Sequence, residues 1–226
     1  MHIIITFALI LLLTGCNNSS SINQTSYKIR EISARDDGVN KTRPTIYRAK
    51  IPSDWICKDP ELNISLSDTT KSICELFILN ANDNDQKIRI TIHNFPSLNP
   101  DDRIPSTAQI ARWKKQFSQL DPSSISIISQ SFAGFSGQLF EGSGLLNGEE
   151  ISIMAWSMQL AQEHYSILSL KLQLLQANIE KQKIAQMKSD FTIKATGPKA
   201  LMEKHRRDIF AFARSFELIE EIPSAS

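Results

Sequence analysis

The chain has 226 residues, a length that suits one domain of good size or two small ones. Its 41% hydrophobic and 22% charged residues are the proportions of an ordinary globular protein. With 25 basic against 24 acidic residues the net charge is +1, so there is no long-range field to gather nucleic acid, and none is expected as a partner.

The N-terminus departs from this average. Ile3 to Leu13 is an apolar run broken only by Thr6. As a helix its eleven residues would span roughly 17 Å at about 1.5 Å each, short for a hydrocarbon core of about 30 Å and suited to a signal peptide. Leu13-Thr14-Gly15-Cys16 follows at once and resembles the lipobox of bacterial lipoproteins at each position. That resemblance implies cleavage between Gly15 and Cys16 and a diacylglyceryl thioether on the Cys16 sulfur, with membrane attachment through lipid. The n-region departs from the pattern, since Met1-His2 carries no Lys or Arg. Asn17, rather than Asp, follows the cysteine and favours the outer membrane in a cell that has two.

We read residues 1–15 as signal peptide, 16–44 as lipidated cysteine and flexible tether, and 45–222 as a single globular domain. The tether reading rests on a Ser-, Asn- and charge-rich stretch whose few apolar residues show no periodicity.

Within the domain, Thr45 to Ile51 reads as a strand closed by Pro52, and Cys74 to Leu79 as a buried strand. From Lys87 to Asn94, Ile88, Ile90 and Ile92 alternate with Arg89, Thr91 and His93. The Asx-rich segment from Asn80 to Asp85 joins these two strands. Ser106 and Gln109 have capping-box spacing ahead of a helix with Ile110, Trp113 and Phe117 on one stripe, ended by Asp121-Pro122. Strands follow at Ile125 to Phe132, Ser136 to Leu146 and Glu149 to Gln159, the last two joined by Asn147-Gly148 in a type I′ turn. His164 to Leu172 reads as a further strand, Gln173 to Lys188 as a polar helical segment, and Asp190 to Thr196 as an alternating strand. A helix from about Pro198 closes the chain, with Leu201, His205, Ile209, Phe212 and Phe216 near one face.

This order predicts an α+β fold, a central antiparallel sheet flanked by helices in an α/β/α sandwich. Tyr47-Arg-Ala-Lys-Ile-Pro-Ser-Asp-Trp55 resembles the opening of PsbP/Mog1-like domains, in which a first strand ends in Pro-x-x-Trp. The ending, Asp190-Phe-Thr-Ile-Lys, a helix, then Ser215-Phe216, is similar too. The resemblance spans about residues 45 to 220 and implies a binding or assembly module, with no shared set of functional residues to carry over.

We find no catalytic set, metal site or cofactor motif in the sequence. Gly142 and Gly144 lack nucleophile-elbow and dinucleotide spacing and read as structural. His93, His164 and His205 show no ligand spacing, and His93 reads as a solvated histidine on a polar strand face. Asp83 and Asp85 read as turn residues rather than a calcium loop, and the basic run from Lys199 to Arg207 as a solvated helix face. Trp55, Trp113 and Trp156 read as core. Cys57 and Cys74 leave two readings open, a disulfide in an oxidising compartment or two buried thiols in neighbouring strands.

The expectation is a lipid-anchored extracytoplasmic lipoprotein that binds an envelope or surface protein and catalyses nothing. The alternative is a carrier for a small ligand or lipid, whose sign would be a cavity of several hundred Å³. An envelope hydrolase with an unfamiliar site is a third reading.

Overall fold

Alternation along the isoleucine strand does place Ile88, Ile90 and Ile92 in the interior, each fully buried. The computed structural model describes residues 25–35, 43–58, 70–97, 99–175 and 178–222. The expected signal peptide, the expected cleavage site at Gly15 and Cys16, and the expected lipidation site lie outside the described residues.

The elements run β1 (Tyr27–Ser33), β2 (Thr45–Pro52), β3 (Ile56–Lys58), β4 (Cys74–Asn80), β5 (Asp83–Pro96), α1 (Ser106–Lys114), β6 (Gln119–Leu120), β7 (Ser126–Phe132) and β8 (Phe135–Leu146). They continue with β9 (Glu149–Leu160), α2 (Gln162–Leu174), α3 (Asn178–Met187), β10 (Ser189–Pro198), α4 (Lys199–Arg214) and β11 (Glu217–Leu218). Among the described residues the large sheet is ordered β3-β4-β5-β10-β9-β8-β6, with β7 also paired to β8, and a small sheet is ordered β1-β2-β11. All strand pairs are antiparallel.

Helices cover both faces of the large sheet. On one side α1 contributes Ile110 and Trp113, with Phe117 just beyond it, against Phe140, Ile153 and Ala155. On the other, α4 lays Leu201, Met202, Ile209 and Phe212 over a larger core that includes Met154, Trp156 and Met158 of β9. The expected α+β sandwich is therefore present, and the three tryptophans are core, at 3%, 5% and 0% exposure for Trp55, Trp113 and Trp156. Asn147 and Gly148 have φ of 54° and 84°, the left-handed pair that a type I′ turn needs.

Five local expectations are corrected. The stretch read as tether contains β1, paired with β2 from Tyr27↔Pro52 to Ser33↔Thr45, so the folded domain begins well before residue 45. Backbone pairing and two arginines hold this stretch down, which composition does not reveal. Arg35 is fully buried and donates to the Asn94 and Lys71 carbonyls at 3.1 and 2.7 Å, while Arg43 Nε donates to the Ala34 carbonyl at 2.9 Å. His164 to Leu172 is not a strand but lies in α2. Tyr165, Leu168 and Leu172 recur at helical spacing toward the core, and the Ser166 and Ser169 hydroxyls bond back to the carbonyls of Gln162 and Tyr165.

The capping box does not form. Pro105 occupies the N-cap of α1, and the Ser106 hydroxyl turns to the Ser157 carbonyl at 3.0 Å. The helix also ends at Lys114, well before Asp121-Pro122, although Phe117 still reaches the core beneath it. His93 is half-buried rather than solvated, and burial, followed by the charges of Arg35, Lys194 and Arg112, pushes its pKa down to about 4, against the hydrogen bond its Nε2 donates to the Thr70 carbonyl, which raises it.

Candidate functional site

Beside α4 the sheet leaves an open groove of about 240 Å³, walled by the first turns of that helix and by β8 and β9. One wall is an ion pair: Arg206 Nε and Nη2 donate to Glu141 Oε1 and Oε2, each at 3.1 Å. The floor is hydroxylic, with Ser143 Oγ and Ser152 Oγ 2.7 Å apart and the Ser143 N–H donating to Ser124 Oγ at 2.8 Å. The basic run from Lys199 to Arg207 thus does more than face solvent, because Lys199 and Arg206 border the groove.

The groove opens onto β7. Register places Ser126 opposite Glu141 and Ile128 opposite Leu139, so Ser126 and Ile128 lie on the α4 side of the sheet. Ile127 points to the other side, and both isoleucines are exposed, at 44% and 45%. From Pro122 to Phe140 the chain carries no charged residue. Among the described residues no strand pairs with the outer edge of β7. The other edges are guarded differently: β1 carries Lys28, Arg30 and Glu31, while β3 is three residues long and ends in Lys58.

A second polar cluster lies inside, where β10 begins. Asp190 accepts from Arg103 Nη2 at 2.6 Å, from Arg103 Nε at 3.1 Å and from the Leu160 N–H at 3.0 Å. Tyr165 sits between two cations, with the Arg103 guanidinium 5.1 Å and the Lys188 ammonium 4.4 Å from its ring centre. Its hydroxyl donates to the Ser97 carbonyl at 2.9 Å, and burial raises its pKa. Burial likewise raises the Tyr47 hydroxyl and lowers the Lys188 ammonium. While the buried Tyr47 hydroxyl has no hydrogen-bond partner among the described residues, Arg103, Asp190, Tyr165 and the Leu160 backbone are paired with one another or with nearby carbonyls, which is the arrangement of a clasp rather than of an acid and base presented to a substrate. No local motif announces it, because Arg103 and Asp190 are 87 residues apart.

The residues singled out from sequence do not converge. Cys57 and Cys74 lie across β3 and β4 with their sulfurs in hydrogen-bond contact at 3.8 Å. Asp83 and Asp85 make the expected Asx turn, the Asp85 N–H donating to Asp83 Oδ1 at 3.1 Å. His93, His164 and His205 sit on β5, α2 and α4, and no group of three metal-ligating side chains comes together among the described residues. Gly144 is structural as expected: a Cβ there would meet the Gln119 carbonyl oxygen at 2.2 Å, where β6 crosses. No helix among the described residues is long and apolar enough to cross a membrane.

No family model matches the chain, and no curated protein matches it. Among solved structures it is similar to LpqN of Mycobacterium tuberculosis, a protein involved in cell envelope biogenesis, at 13% identity and a TM-score of 0.47, over 84% of this chain and 91% of that one. It is also similar to cyanobacterial PsbP (CyanoP) of Synechocystis sp. PCC 6803, at 11% identity and 0.44, over 90% and 98%. A third is the Pseudomonas aeruginosa protein PA94, a putative regulator of unknown function, at 9% and 0.39, over 88% and 99%. At these identities and scores the likenesses assign no activity, ligand or partner to this chain.

Proposed function

We propose that this chain is a lipoprotein, anchored through lipid on Cys16, that serves on the extracytoplasmic side as a non-enzymatic module binding an envelope or surface protein. The observation that carries the binding part is the β7 edge with its adjoining groove. An uncharged strand with exposed Ile127 and Ile128, whose outer backbone meets no other strand among the described residues, is a template for a partner's extended segment. On the α4 face, Ile128 lies beside the Glu141–Arg206 pair, so an apolar contact is rimmed by charge, as at protein interfaces.

The groove itself is not a carrier's pocket: at about 240 Å³ it is small, open to solvent and walled by an ion pair, whereas ligand pockets enclose roughly 300–1,000 Å³ of mostly apolar space. The anchor part rests on the Leu13-Thr14-Gly15-Cys16 motif. Eleven residue steps lead from Cys16 to Tyr27, so a chain of at most about 3.6 Å per residue holds the start of β1 within about 40 Å of the anchor.

In-cell crosslinking with mass spectrometry on wild type, Cys16→Ala and Ile128→Lys tests both parts. One dominant partner, lost in both variants, supports the reading. A partner lost only in Cys16→Ala keeps the anchored module and rejects β7 as its surface. No reproducible partner in wild type rejects the module.

A further inference from the structure

We propose that Cys57 and Cys74 are a disulfide-forming pair that staples the edge strand β3 to the sheet, an inference that rests on their geometry and not on the lipid anchor. Register pairs Cys57 with Leu76, which puts Cys74 two residues along β4 on the same face as Cys57. Their sulfurs are 3.8 Å apart, so bonding at about 2.05 Å requires them to close by roughly 1.8 Å. The place where that movement occurs is permissive. The strand β3 has three residues and, among the described residues, pairs with β4 alone, so a small shift at Cys57 disturbs no second ladder there.

Accessibility sets the order of the steps. Cys57 is partly exposed, whereas Cys74 is 3% exposed. The Cys57 thiolate attacks the disulfide of an external oxidant, a dithiol oxidase or oxidised glutathione, forming a mixed disulfide and releasing one thiol of the oxidant. The Cys74 thiolate then attacks the Cys57 sulfur, forming the Cys57–Cys74 bond and releasing the second thiol. Two electrons leave the protein's two thiols and reduce the oxidant's disulfide to two thiols, so the exchange balances. The bridge closes a ring over a sequence separation of 17 residues, and it adds a covalent tie to an edge strand whose ladder with β4 is three residues long.

Peptide mapping of the full-length chain tests this, on protein exported by a bacterial host and on purified reduced protein equilibrated with oxidised glutathione. The expected result is a crosslinked peptide joining Cys57 to Cys74, lighter than the two separate peptides by two hydrogen atoms and abolished by reductant. Thermal melting is the second readout: reductant lowers the wild-type Tm by roughly 6–10 °C and leaves the Cys57→Ser/Cys74→Ser double variant unchanged. Reductant-dependent melting separates a bridge from mere packing of two thiols. If both cysteines stay fully alkylatable after oxidised glutathione, or the Tm is indifferent to reductant, the proposal is overturned. A bridge that forms with glutathione supports it, and its absence from the exported protein then counts against the extracytoplasmic location instead.

Discussion

Arg103 clasps Asp190 with two guanidinium nitrogens, at 2.6 and 3.1 Å, with both side chains almost out of solvent at 10% and 8% exposure. The same arginine donates to the Leu160 carbonyl at 2.6 Å, and Asp190 accepts from the Leu160 N–H, so the pair closes the end of β9 against β10. Breaking a buried pair from one side strands the other charge, at a cost of roughly 3–5 kcal/mol. Asp190→Ala is therefore expected to lower the urea midpoint and to reduce Tm by about 10 °C. Asp190→Asn, which keeps an acceptor for Leu160, is expected to lose less. A loss of under about 1 kcal/mol for Asp190→Ala would remove the clasp from the account.

His93 makes stability depend on pH. In the fold its pKa lies at about 4, against 6.5 for the free side chain. Above about pH 6.5 the imidazole is neutral in both states and contributes no difference. As pH falls from 6.5 toward 4, the unfolded chain takes up a proton that the folded protein refuses, so stability is lost across that window. His93→Gln is expected to flatten this part of the curve. The check is the Tm difference between wild type and variant at pH 7.5 and at pH 4.5, compared within each pH. His205, whose pKa burial also lowers, is present in both proteins and cancels.

The β7–β8 turn stores strain that a single substitution relieves. Phe132 pairs with Phe135, leaving a two-residue turn in which Ala133 and Gly134 have φ of 51° and 80°. An L-residue in the left-handed region costs roughly 1–2 kcal/mol. Ala133→Gly is expected to raise stability by about 0.5–1 kcal/mol, after the extra entropy of an unfolded glycine is subtracted. Gly134→Ala is expected to destabilise, because its Cβ would meet His164 Nδ1 at 2.6 Å as well as adopt a positive φ. Equilibrium urea unfolding reads both.

What sequence reading recovered and missed follows from the range of the forces involved. Ile88, Ile90 and Ile92, the Ile110–Trp113 pair and the Asn147-Gly148 turn are local patterns, and each stands where its period or turn chemistry puts it, while Phe117 reaches the same core from beyond the end of α1. The strand β1 was missed because only Ile32 and Ala34 of its stretch enter the core, and its hold is backbone pairing plus the buried Arg35. In α2 the run Leu168-Ser-Leu-Lys-Leu172 alternates well enough to imitate a strand, while the helical spacing of Tyr165 and Leu168 decides. The Ala133 turn lacks the usual Asn or Gly at its first position. The groove beside α4 brings residues of the β7 approach, β8, β9 and α4 together, and no spacing along the chain foretells that.

The measurement that bears most directly on the anchored-module account is metabolic labelling with an alkyne fatty acid in a bacterial host, followed by fractionation and mass spectrometry of the N-terminal peptide. Wild type is predicted to carry the label, to sediment with membranes, and to begin at a lipid-modified Cys16. Cys16→Ser is predicted to be unlabelled and to lose membrane attachment. An unlabelled wild-type chain that retains residues 1–15, or a Cys16→Ser chain that keeps its label, would contradict the account.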